Sequence, residues 1–223
     1  LKMGLSKIAL VLLTTKREYD TGLVHQCLDM YLDSVSECDM IDIIISINTQ
    51  FKHDLNQRYK DNHHVNTITI HNCNIQQKQD VYIQSDDQPD PPYEFGNSNG
   101  PNKLFYETFA MLEQKKSYLY FMVIETDSRP IGRLWLDRIQ RFCNKSSFII
   151  AGSTYKGSMT LPDTDWINHL NGIALYSNRF ATYDIIRGSI DILTHTIHVK
   201  KHARLNYDIA MWYYVNSAEG DKY

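Results

Sequence analysis

The 223-residue chain is 43% hydrophobic and 22% charged with a formal net charge of −3, the balance of a soluble globular protein long enough for one large domain. Its Lys and Arg form no run longer than the pairs Lys115-Lys116 and Lys200-Lys201, so composition argues against a nucleic-acid partner. No apolar run approaches the roughly 20 residues of a membrane helix. The cysteines, Cys27, Cys38, Cys73 and Cys143, lack the spacing of a zinc site or disulfide framework. A reducing, cytoplasmic setting is expected. The chain opens at Leu1, so it either starts natively at Met3 or is a piece of a longer protein.

In chain order, KIALVLL (7–13) is a continuous apolar run, the mark of a strand covered on both faces. Val24, Leu28, Tyr31 and Val35 then recur at helical spacing, widened by Cys27 and Leu32. MIDIIISIN (40–48) reads as a second strand, residues 50–60 as a polar helix, and NTITIH (66–71) as a third strand. Residues 72–99, rich in Asn, Gln, Asp and Pro, form a long loop of the kind that carries function or mobility.

Pro101 then marks a helix start, followed by a stripe of Leu104, Phe105, Thr108, Phe109 and Leu112. SYLYFMVIETD (117–127) is the best-defined strand. After Pro130 a helix is expected to bury Ile131, Trp135, Ile139 and Phe142. SSFIIAGS (146–153) and HLNGIALYS (169–177) read as strands, FATYDIIRGSI (180–190) and 204–215 as helices, the last carrying Ile209 and Trp212. Trp135 and Trp212 are expected in the core. His195 and His198 alternate with apolar neighbours and read as one strand face. The alternation predicts an α/β fold with a central, mostly parallel but mixed sheet flanked by helices, in which ligands gather at the carboxyl ends of strands.

Glu125 and Asp127 close the strongest strand. On extended chain, residues i and i+2 point to one side about 6.5–7 Å apart, so both carboxylates converge on one small object. A hard divalent cation suits that arrangement, and a cation that also grips a diphosphate neutralises charge on a leaving group. The plain alternative is a solvated pair capping the next helix.

In ETD (125–127), following two or three βα units and followed by HLNGIALYSN (169–178), the sequence resembles the GT-A class of nucleotide-sugar glycosyltransferases. It is similar in size to the compact members encoded by some large algal viruses. The likeness covers most of the chain in order of elements, but only those two segments are specific, and Glu125 stands where that family's DxD motif has its first Asp. It implies a single GT-A-like domain over 1–223, with 1–127 the nucleotide-binding half and 128–223 the sugar and acceptor half. It implies Mn²⁺ (or Mg²⁺) on Asp127, with Glu125 touching metal or ribose, and His202 completing the metal shell. It also implies a UDP-sugar donor, a glycan or glycoprotein acceptor arriving over residues 155–168, and Asn171 and Gly172 against the donor sugar.

Thr14 and Lys16, leaving the first strand, are either nucleotide contacts or an ordinary polar turn. Asn102 and Lys103 lie in a helix's first turn, within reach of phosphate or simply solvated. Arg129 either contacts phosphate or neutralises the acids. Asp165, beside Trp166, is the candidate for the group near the reacting carbon, against the alternative of a turn residue after Pro162. Neither GxGxxG nor GxxxxGK[ST] occurs, which argues against dinucleotide oxidoreductases and P-loop enzymes. Two rivals stand: a sugar nucleotidyltransferase, whose glycine-rich basic loop TTKREYD lacks, and a non-catalytic binder of carbohydrate or nucleotide.

Overall fold

The computed structural model describes residues 7–36, 39–83, 93–154, 169–199, 204–217 and 219–220. Within them a six-stranded mixed sheet has the order β3-β2-β1-β4-β6-β5. These strands are β1 (Ile8–Thr14), β2 (Ile41–Ile47), β3 (Val65–Asn72), β4 (Tyr120–Glu125), β5 (Ile150–Thr154) and β6 (Leu170–Ser177). Parallel pairing joins β1 to β2, β1 to β4 and β2 to β3, whereas β6 runs antiparallel to β4. The expected α/β class and mixed sheet are what the chain adopts.

Two compact units, neither a continuous segment, divide the chain. The first comprises residues 1–74, 115–149 and 175–178. It holds β1 to β4 with α1 (Lys16–Asp20), α2 (Leu23–Leu32), α3 (Leu55–Tyr59) and α5 (Trp135–Lys145). All seven residues of β1 and all seven of β2 are buried: β1 is apolar from Ile8 to Leu13, and β2 buries the polar Asp42 and Ser46 among its isoleucines. Against this sheet α2 lays Val24, Cys27, Leu28, Tyr31 and Leu32, the stripe its periodicity foretold. Tyr31 and Trp135 meet edge to face at 5.1 Å, and the Trp135 indole N–H donates to the Tyr31 carbonyl at 2.9 Å.

The second unit holds α4 (Asn99–Leu112), β5, the first half of β6, α6 (Phe180–His198) and α7 (Tyr207–Val215). Asn102 organises it. Its buried side-chain amide donates to the carbonyls of Phe95 and Leu205 and accepts from the Tyr207 N–H at 2.9 Å, binding the start of α7 to α4. Phe105 stacks on the Tyr207 ring at 3.7 Å.

Three expectations are corrected. Helix α6 runs on to His198, so His195 and His198 lie on a helix, and the His198 ring is hydrogen-bonded to the Glu94 carbonyl. Helix α5 begins only at Trp135 and buries Trp135, Leu136 and Cys143, leaving Ile131 95% and Phe142 42% exposed. Trp212 is half-buried rather than core.

At the amino ends of the strands a buried carboxylate ties the first unit together. Asp42 accepts from the Asn66 amide (2.7 Å) and the Thr67 hydroxyl (2.6 Å), with the Lys7 ammonium at 4.0 Å. Burial and the nearby Asp42 charge push the Tyr118 phenol up to about 12. Removing one partner from such a cluster strands the others without water. Asp42→Ala is expected to cost about 1–3 kcal/mol of stability, read as a lower urea midpoint; an unchanged midpoint would make the carboxylate a bystander.

Candidate functional site

Within the first unit the chain steps from β1 to β2 and β3 on one side, and β4 then lies on the other side of β1. That reversal is a topological switch point, and ligands of open α/β sheets bind beyond the carboxyl ends of strands at such points. In register Leu13 faces Glu125, so the exit of β1 and the acidic motif are neighbours.

Beyond Thr14 the chain enters α1 through a capping box. The Thr15 N–H and hydroxyl both donate to the Glu18 carboxylate (2.7 and 2.9 Å), and the Glu18 N–H donates to the Thr15 hydroxyl. The Thr14 hydroxyl reaches the same carboxylate oxygen at 3.3 Å. The second carboxylate oxygen of Glu18 accepts from the hydroxyl of Thr126. From the exit of β2, the Asn48 side chain accepts from the Lys16 N–H (2.9 Å) and its own N–H donates to the Thr14 carbonyl.

The acidic motif itself is a turn. Strand β4 ends at Glu125, and the Ser128 N–H donates to the Glu125 carbonyl at 3.0 Å. The Ser128 hydroxyl and the Cys27 thiol reach the same carbonyl. Alternation along an extended strand, which would put both acids on one side, therefore stops at Glu125. Thr126 is buried, Glu125 half-buried and Asp127 exposed, so the middle side chain anchors the turn and Asp127 is open to solvent. Burial pushes the Cys27 thiol up to about 11; the Ser128 contact opposes it, and the charges of Asp127 and Glu18 add smaller upward pushes. A thiol held protonated is a poor metal ligand, so the donors on offer here are hard carboxylate oxygens. Among the described residues no group of three His, Cys, Asp or Glu side chains comes together to hold a metal. Two carboxylates still suffice for Mg²⁺ or Mn²⁺ when substrate phosphates and water complete the shell.

The other sequence-derived candidates are placed as follows. Thr14 is buried on Glu18, and the Lys16 ammonium pairs with Asp20 and lies 5.6 Å from the centre of the Phe51 ring. Phe51 packs on Tyr19 at 4.9 Å, an aromatic face beside the exits of β1 and β2. No ion pair joins Arg129 to Asp127 among the described residues. In the second unit, both N–H groups of the Asn102 amide are spent on backbone, and Lys103 pairs with Glu94 at 2.9 Å. Asn171 is exposed, its side chain accepting from the Ile173 N–H. Gly172 was expected to open space for a sugar, yet the Tyr207 phenol fills that space: a Cβ there would lie 2.0 Å from its oxygen. Asn102 and Gly172 thus brace α7 in this arrangement. Asp165 and His202 lie outside the described residues.

Sequence reasoning missed Glu18, Thr126 and Asn48. Thr15-x-x-Glu18 is a capping-box signature, but nothing local announces Thr126 as a partner.

No protein-family profile and no curated protein matches the chain. Among solved structures, WbbM, a bifunctional glycosyltransferase in its apo form, matches with a TM-score of 0.51 at 8% identity over 96% of this chain. The fold is shared with a known glycosyltransferase. The chain spans 38% of the length of that protein.

Two outcomes test these arrangements. Gly172→Ala is expected to cost at least about 1–3 kcal/mol, the range for overpacking, measured by chemical denaturation; an unchanged stability would mean Tyr207 swings away freely. At pH 8 a thiol with a pKa near 11 is about one-thousandth thiolate. Cys27 should therefore stay unmodified by iodoacetamide in the native protein and react in urea, as peptide mass spectrometry would read.

Proposed function

We propose that the chain is a glycosyltransferase that takes a hexose from a nucleotide-sugar, with UDP the preferred nucleotide, and passes it to a glycan or protein-linked glycan. One observation carries this reading. The Glu125–Asp127 turn stands at the switch point between β1 and β4, braced from behind by Glu18, on a fold shared with a glycosyltransferase.

In this reading Glu125 and Asp127 hold Mn²⁺ (or Mg²⁺), which when bound offsets the charge developing on the departing diphosphate. Glu18 fixes the turn that carries both acids before any ligand arrives, and such preorganisation lowers the cost of assembling the site. The Phe51 and Tyr19 rings offer a face on which a nucleobase stacks, with Thr14 and Lys16 at its border. Asn171 keeps its assignment to the donor sugar. Asp165, beside Trp166, keeps the role of the group near the reacting carbon, and His202 keeps, from the family resemblance, that of a further metal ligand.

The filled space at Gly172 favours one competitor, a binder of nucleotide or carbohydrate that does not turn over. Calorimetry with UDP, with and without Mn²⁺, followed by incubation with UDP-glucose, separates the two. The expected result is UDP binding that Mn²⁺ strengthens. Asp127→Ala should weaken the Mn²⁺-dependent part by more than the roughly ten- to hundredfold that losing an outer-shell partner costs. UDP affinity indifferent to both metal and substitution would refute the metal site. Metal-dependent binding without hydrolysis of UDP-glucose would leave the binder.

A further inference from the structure

The stretch 129–145 carries five cations, Arg129, Arg133, Arg138, Arg141 and Lys145, against one acid, Asp137, in a chain whose formal net charge is −3. All five cations are exposed. None has a carboxylate within 4.0 Å among the described residues. The lone acid does not neutralise them: Asp137 is half-buried near Asp39, whose carboxyl is raised by burial first and then by the Asp137 charge.

Apolar side chains stand exposed among these cations. Ile131, between Arg129 and Arg133, is 95% exposed, Leu134 45% and Phe142 42%. Leu134, Arg138, Arg141, Phe142 and Lys145 recur at helical spacing and mark one stripe, while Trp135, Leu136 and Cys143 are buried. Leu134 also adopts the left-handed conformation (φ 63°), which disfavours any residue with a Cβ. In water, then, a strained backbone presents an apolar side chain that the fold leaves 45% exposed.

We propose that the loop 129–134 and the exposed stripe of α5 form a docking surface for an anionic lipid bilayer, with the arginines and Lys145 on headgroup phosphates and Ile131, Leu134 and Phe142 entering the acyl boundary. Charge alone would equally suit a nucleic acid or an acidic glycan. Those polyanions offer nothing to a 95% exposed isoleucine, whereas amphipathic segments with basic and apolar side chains together lie in the membrane interface. The surface stands independently of the glycosyltransferase reading. Should both hold, the acidic turn works beside a membrane, and acceptors anchored in lipid come within its reach.

The test is co-sedimentation of the purified chain with sucrose-loaded vesicles of phosphatidylcholine alone or mixed with phosphatidylglycerol. The expected result is binding to the anionic vesicles at least about tenfold stronger than to the neutral ones, falling as salt rises, since each basic residue near such a surface contributes about fivefold. Arg138→Glu with Arg141→Glu should abolish it. Ile131→Ser should weaken it about tenfold or less while leaving the salt dependence intact, as loss of a partly inserted side chain would. All three positions are exposed, and unchanged circular dichroism would verify folding. Absence of vesicle binding would overturn the proposal. So would binding indifferent to Ile131→Ser that a duplex oligonucleotide or heparin competes away, or a concentration-dependent dimer that the same substitutions dissolve without any lipid effect.

Discussion

The Glu18 carboxylate ties two strand exits together. It takes the N–H and hydroxyl of Thr15 at the end of β1, and the hydroxyl of Thr126 inside the turn that ends β4. A half-buried carboxylate is costly unless donors satisfy its oxygens, and these donors also fix where the two chain segments stand. With Thr126 drawn inward, its neighbours stand half-buried (Glu125) and exposed (Asp127) at the switch point that the strand order creates. Whatever binds there meets acids whose backbone is held by Glu18 on one side and by Ser128 and Cys27 on the other.

The second unit follows a comparable logic around a phenol. Tyr207 stacks on Phe105, receives the Asn102 oxygen on its N–H and covers Gly172. Three residues that read as ligand contacts or core in the sequence are thereby joined in one packing arrangement. Asparagine in the first turn of a helix and glycine in a strand are both common marks of binding sites. Here the same chemistry, an amide with two donors and a residue without Cβ, serves the close approach of one helix to its neighbours.

Much of the architecture was legible because it rests on period. The apolar run of β1, the isoleucine-rich β2 and the Val24–Tyr31 stripe of α2 correspond directly to buried faces. The position of the acids at a strand end was legible for the same reason, since ETD follows the apolar YFMVI without interruption. Less visible was everything set by partners distant in the chain. Thr126 meets Glu18 across 108 residues, and no local pattern encodes that. Histidines 195 and 198 were misread because alternation over a few residues is compatible with either period, and the whole length of α6 decides it. The cations of α5 stand three or four residues apart in the chain, so no run marks them, and only winding the helix gathers them.

Strand β1 pairs Ile8 with Tyr120 and Leu13 with Glu125. During synthesis the ribosome therefore releases an intensely apolar ribbon whose neighbour on one flank emerges only much later. Until then that flank is an unpaired edge of the kind that recruits foreign strands. Productive maturation must depend on β2, which follows closely and covers the opposite flank, and on how quickly the nascent chain is shielded while the intervening residues are translated.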